Sequence, residues 1–117
     1  MIRYRVDIAY NGTKYHGWQI QPNAITIQEV LNSKLSLLLR EDILTTGSGR
    51  TDTGVHAKKQ VVHFDAIPFD IENILFRLNK VLPSDIVVNQ LAEVQTNFHS
   101  RFSAKSRAYT YKINKIK

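Results

Sequence analysis

Asp52 is the residue on which chemistry could turn. It sits in "TGSGRTDTGVHAKKQVVHFD", residues 46–65, where three glycines, an arginine and an aspartate fall within eight positions. Arg50 and Asp52 are two apart, so in an extended chain their side chains point to the same side. A guanidinium beside a carboxylate keeps it ionised. An ionised carboxylate on a loop can act as nucleophile, base or electrostatic stabiliser. No second acid accompanies it, which disfavours two-carboxylate glycoside hydrolysis. The arrangement suits a reaction that returns the leaving group to the same sugar.

Other readings of the segment fare unequally. A phosphate-binding loop needs GxxxxGK[ST], or GxGxxG opening a helix, and neither is present; an alternating, strand-like run follows instead. For a metal site, Asp52, His56, His63 and Asp65 are close in sequence, but the histidines lack the i,i+4 helical spacing of a zinc protease. A glycine-rich hairpin with no chemistry remains open, because glycine supplies turn geometry and Asp and Thr bond their own backbone there. That reading leaves Arg50 unexplained.

The elements that would hold such a loop are legible from periodicity. "IRYRVDIAY" alternates, with Ile2, Tyr4, Val6, Ile8 and Tyr10 on one face and Arg3, Arg5 and Asp7 on the other. "NGTKYHGWQ" is a loop opened by Asn-Gly. Thr26-Ile27-Gln28-Glu29 matches a capping box, with Ile25 and Val30 as a hydrophobic staple. The helix it starts runs to Arg40, with Ile27, Val30, Leu31, Leu35, Leu38 and Leu39 on its apolar face. "DILTTGS" is expected to be a short strand. "KKQVVHFDA" is the next, with Val61 and His63 opposite Val62 and Phe64. Asp70 caps a second helix, which turns Ile71, Ile74, Leu75, Leu78 and Leu82 inward and ends at Pro83. "DIVVNQLAEV" and "RAYTYKINK" are further strands. The order predicts an α+β, ferredoxin-like β-α-β-β-α-β domain: an antiparallel sheet with two helices on one face and the other face free to bind.

Length, charge and composition set bounds. The 117 residues make one domain, and 43% hydrophobic content supports a core. Cysteine is absent, which removes disulfides and thiolate metal sites and fits a reducing, cytoplasmic setting. The N-terminus alternates and carries charge, unlike a secretion signal, and no run approaches the ~20 apolar residues of a membrane span. Residues 1–97 hold ten Lys/Arg and ten Asp/Glu, so the whole net charge of +6 lies in "FHSRFSAKSRAYTYKINKIK". Arg101, Lys105 and Arg107 there alternate with Phe98, Phe102, Tyr109 and Tyr111. Such a strip fits a nucleic-acid surface, cations for phosphates and rings for bases, and equally a solvated basic tail.

The motifs together resemble one family. "GRTDTGVHA" (residues 49–57) is similar to the signature of the tRNA pseudouridine synthase A family. "YNGTKYHGWQIQP", "TIQEVL", "QVVHFD", "RLNKVLPSDIVV" and "FHSRFSAKSRAYTYKI" resemble the family's segments in the same order, across essentially all 117 residues. The resemblance implies isomerisation of uridine to pseudouridine in the tRNA anticodon stem-loop, at nucleotide positions 38 to 40. It places the catalytic aspartate on Asp52, a base-packing tyrosine on Tyr109 and a base-flipping arginine on Arg50. It implies tRNA as partner, a homodimer, and neither cofactor nor metal. Under it the basic strip with Arg101, Lys105 and Arg107 becomes an expected RNA surface. His56 and Trp18 are expected as RNA contacts, each with a structural alternative: hydrogen bonding for His56, loop anchoring for Trp18. The competing class is a non-catalytic ferredoxin-like RNA-binding module, although "QVVHFDA" and "IVVNQLA" lack its aromatic stacking motif. Family members run to about twice this length. Residues 1–117 are therefore expected to be the N-terminal half, carrying the aspartate without the domain that completes its cleft, and to be inactive alone.

Overall fold

The structure, a computed structural model, describes residues 1–49 and 54–100. Arg50, Asp52, Arg101, Lys105, Arg107 and Tyr109, and the expected strand over 107–115, lie outside the described residues.

The expected alternation in the first strand is what builds the sheet. β1 (Ile2–Tyr10) runs through the centre and pairs antiparallel with β3 (Ala57–Ala66) on one side and β4 (Ile86–Val94) on the other. With β2 (Thr46–Gly47) at the far edge, the sheet order is β2-β3-β1-β4, which is the ferredoxin-like arrangement. Register places Tyr4 opposite Phe64 and Val6 opposite Val62, so the buried faces of the two strands coincide. Against that face pack Ile27, Leu31 and Leu35 of α1 (Ile27–Leu39) and Ile74 and Leu78 of α2 (Ile71–Val81). Each such side chain contributes roughly 1.5–3 kcal/mol on burial.

The caps follow the sequence expectation. Thr26 accepts from the Glu29 amide, and Asp70 from the Asn73 amide. The hydrophobic staple does not: Ile25 is 59% exposed. The entry to α1 is fixed instead by the loop before it, whose Gly17 and Trp18 carbonyls accept from the first helical amides, Ile27 and Gln28. These are amides that no helical carbonyl can reach.

The strand expected over "DILTTGS" shortens to two residues, and the cause is visible. α1 competes for the backbone ahead of β2. Ser36 Oγ accepts from the Ile43 amide. Gln28 donates to the Thr45 carbonyl at 2.7 Å, and Asn32 Oδ1 accepts both the Thr45 amide and its hydroxyl. With those groups occupied, pairing with β3 is confined to Thr46 and Gly47.

The sheet face opposite the helices is only partly free. Phe98–Ser100 lies over it: Arg3 donates to the Phe98 carbonyl at 2.6 Å, and the Arg5 guanidinium sits 5.9 Å from the Phe98 ring centre. Beneath them Asp7 is 3% exposed and neutralised by Arg5 at 2.8 Å and Lys59 at 3.5 Å. Among the described residues no helix is long and apolar enough to cross a membrane.

Candidate active site

Asp52 belongs to the connection between β2 and β3, and the structure describes both limbs of that connection. On the leading limb, Ser48 donates to the Val61 carbonyl at 2.8 Å, and Gln60 reaches back to the Gly49 carbonyl at 3.0 Å. Gly47 lies against the Trp18 indole so closely that a Cβ there would stand 2.5 Å from Nε1. On the trailing limb, Gly54 adopts φ +79°, a conformation costly for any residue with a Cβ, and donates to the Tyr15 carbonyl at 3.2 Å. Two residues on, His56 Nδ1 accepts from the Gly12 amide at 2.9 Å. Gly12 has no room for a side chain, because a Cβ would overlap the Val55 carbonyl.

One loop therefore serves both limbs. Residues 11–18 supply Gly12 and Tyr15 to the trailing side and Trp18 to the leading side. Asn11 shapes its start by accepting from the amide and hydroxyl of Thr13. The Tyr15 hydroxyl, at 2.7 Å from Asp85 Oδ1, is held protonated well above its ordinary range, by burial first and by the Asp85 carboxylate second. Tyr15 is thus a permanent donor here.

Of the site residues expected from sequence, Trp18 and His56 are within the described residues, and each is found holding this connection. Trp18 is 2% exposed. A ring buried to that degree packs the loop. His56 lies at the surface, with Nδ1 committed to the Gly12 amide. Arg50 and Asp52 lie between these limbs, outside the described residues. Sequence reasoning missed Gln60, the Tyr15–Asp85 pair and the two amides of α1. Gln28 and Asn32 did leave a signal: two amide side chains at i,i+4 on the helix.

Among the described residues, two hollows flank the mount. One, of about 200 Å³, opens between Trp18, Gln28 and Gly49. The other, of about 550 Å³, lies beside His56, Lys58 and Asp85. A third, of about 420 Å³ against Leu75 and Phe76 on the outside of α2, touches none of the loop residues. Among the described residues no three His, Asp or Glu side chains converge as metal ligands.

The face behind the loop is organised around His63, which is 6% exposed. Its Nδ1 accepts the Ser100 amide at 3.1 Å, and Ser100 Oγ donates to the Thr46 carbonyl at 3.0 Å. Ser100, the last described residue, is thereby tied to β2 at the foot of the leading limb. Burial, then the charge of Arg3 and the neighbouring His99 ring, push His63 down to about 4, with Asp65 opposing. Arg3 grips Asp65 through two nitrogens, at 2.8 and 3.0 Å, and holds its carboxyl below the usual range.

Comparison with known proteins agrees with this architecture. The sequence profile of a family described as tRNA pseudouridine synthase matches residues 8–103. The tRNA pseudouridine synthase A of Bacteroides fragilis is 48% identical over 117 residues, covering 98% of this chain and 46% of the relative. That of Ruminiclostridium cellulolyticum is 50% identical over 116 residues, with 97% and 46% covered. That of Thermoanaerobacter pseudethanolicus is 47% identical over 109 residues, with 92% and 45% covered. The chain spans about half the length of the curated relatives it matches. With most of its length inside the profile and these identities along it, the chain belongs to the tRNA pseudouridine synthase family.

Proposed function

We propose that this chain is the aspartate-bearing half of an enzyme that isomerises uridine to pseudouridine in the anticodon stem-loop of tRNA, at nucleotide positions 38 to 40. Asp52 is the reacting group. The N1–C1′ bond breaks, the uracil turns, C5 joins C1′, and the C5 proton leaves to solvent while N1 takes one up. The carboxylate either attacks C1′ or removes the C2′ proton to give a glycal, and both routes return the base to the same sugar. The target nucleotide leaves its stack first, at a cost of a few kcal/mol. Arg50 fills the vacated space, Tyr109 lies under the uracil, and Arg101, Lys105 and Arg107 meet phosphates. The enzyme works as a homodimer without cofactor, and a second domain completes the cleft.

The observation that carries this reading is the double anchoring of the segment that bears Asp52, in a chain of this family: Gly54 to Tyr15 on one side, Gly49 to Gln60 on the other. A carboxylate that must meet one sugar carbon gains rate from being held still. Asp52→Asn in the complete protein tests it, with tritium release from C5-labelled uridine in tRNA as readout. Release should fall by at least ~10³-fold while tRNA binding stays within about twofold. Retained release removes Asp52 from the chemistry, and lost binding with normal folding makes it an RNA contact instead. The 117-residue chain alone should release almost no tritium; release near the complete protein's rate would show that the second domain is dispensable.

A further inference from the structure

We propose that Asp85, immediately before β4, is a positioning residue for the segment that carries Asp52, acting through Tyr15. The proposal rests on the catalytic reading of Asp52. Asp85 holds the 11–15 loop at two points. Its carboxylate accepts the Tyr15 hydroxyl at 2.7 Å, and its own carbonyl accepts the Asn11 amide at 2.9 Å. The loop passes that restraint on through its backbone. The Tyr15 carbonyl accepts the Gly54 amide, and the Gly12 amide donates to His56. Gly54 is two residues from Asp52, and its φ of +79° fixes the direction in which the chain leaves it.

Three features make this a relay rather than a packing contact. Tyr15 is 7% exposed, so its hydroxyl has little water to fall back on if Asp85 is lost. Among the described residues, the hydrogen bonds of Asp85 go to Tyr15 and Asn11 of the 11–15 loop and to neither limb directly. Gly12 meets the Val55 carbonyl in van der Waals contact with no side chain between, so a shift of the 11–15 loop moves residues 54–56 with it. Asp85 thus couples the placement of a loop carboxylate to the sheet edge at β4, on the other side of β1 from β3.

The test reads the coupling directly, apart from catalysis. In the 117-residue chain, amide hydrogen exchange is followed by NMR at Gly54 and Gly12, with Val6 and Val62 of the central strands as internal controls. Asp85→Ala and Tyr15→Phe should each speed exchange at Gly54 about tenfold and leave Val6 and Val62 unchanged. Asp85→Asn, whose amide oxygen still accepts from the Tyr15 hydroxyl, should restore Gly54 to within about twofold. In the complete protein, Asp85→Ala should lower kcat for pseudouridine formation about tenfold with KM for tRNA within twofold, and Asp85→Asn should recover most of the rate. Unchanged exchange at Gly54 in both variants would overturn the proposal. So would equal acceleration at Val6 and Val62, which would mark general destabilisation, or an increase in KM with kcat unaltered. If exchange at Gly54 responds as stated but Asp52→Asn remains active, the relay stands and the catalytic reading falls.

Discussion

Acidification should release the Phe98–Ser100 segment from the sheet, and His63 sets the pH at which it does. In the unfolded chain a histidine titrates near 6.5. In the folded protein burial, Arg3 and His99 bring His63 to about 4. Between these values the unfolded state binds a proton that the folded state refuses, so stability falls as pH drops through this window and levels off below about 4. A shift of about 2.5 units at 1.36 kcal/mol each gives a ceiling of roughly 3 kcal/mol. The ring keeps some exposure, and solvent screening lowers this to about 2 kcal/mol. Geometry agrees in sign: a protonated Nδ1 would face the Ser100 amide, donor against donor. Asp65, held low by Arg3, loses its contribution only as pH falls below the unfolded carboxylate value near 3.9, outside most of the window. Urea unfolding of the chain between pH 7.5 and 4.2, with and without His63→Gln, measures the effect, and ring proton shifts give the His63 titration. The parent should lose about 2 kcal/mol more than the variant across that range. Titration of His63 between 6 and 7, or equal pH slopes in the two proteins, would refute the reasoning.

The glycines around the loop should separate sharply. Gly12→Ala puts a methyl onto the Val55 carbonyl and parts two backbone segments, so urea unfolding should show a loss of roughly 2–4 kcal/mol. Isomerisation in the complete protein should then fall by about 10²-fold through misplacement alone. Gly49→Ala meets nothing within 4 Å among the described residues and should change stability by less than about 0.5 kcal/mol. Asn32→Ala leaves the buried Thr45 amide and hydroxyl without their acceptor and should cost roughly 1–3 kcal/mol in the same assay.

What the sequence made legible was whatever rests on local periodicity. The alternation in β1 and β3, the caps at Thr26 and Asp70 and the inward faces of both helices need only neighbours to be read. The stop of α1 at Arg40 was also legible from the end of the apolar face, although Arg40 takes the left-handed region at φ 57° where a glycine would be the usual signal. β2 was overestimated because pattern reading cannot see that Gln28 and Asn32 compete for the backbone of Thr45. The site divides in the same way. "GRTDTGVHA" points at Asp52 by residue type and spacing. Its supports, Gly12 under Val55, Tyr15 on Asp85 and Gln60 on Gly49, depend on which loops meet in space. Trp18 and His56 drew attention as chemically distinctive side chains, and the fold uses both as fasteners.

The Tyr15–Asp85 bond joins residues 70 apart. Closing a contact of that span comes late in folding, because the loop-closure entropy must be met before the bond returns anything. On the ribosome, α1 and β3 can form as they emerge, but the 11–15 loop lacks this restraint until β4 has been made and has docked beside β1. The limbs on either side of residues 50–53 thus gain the Tyr15–Asp85 restraint only when the sheet's last described strand arrives.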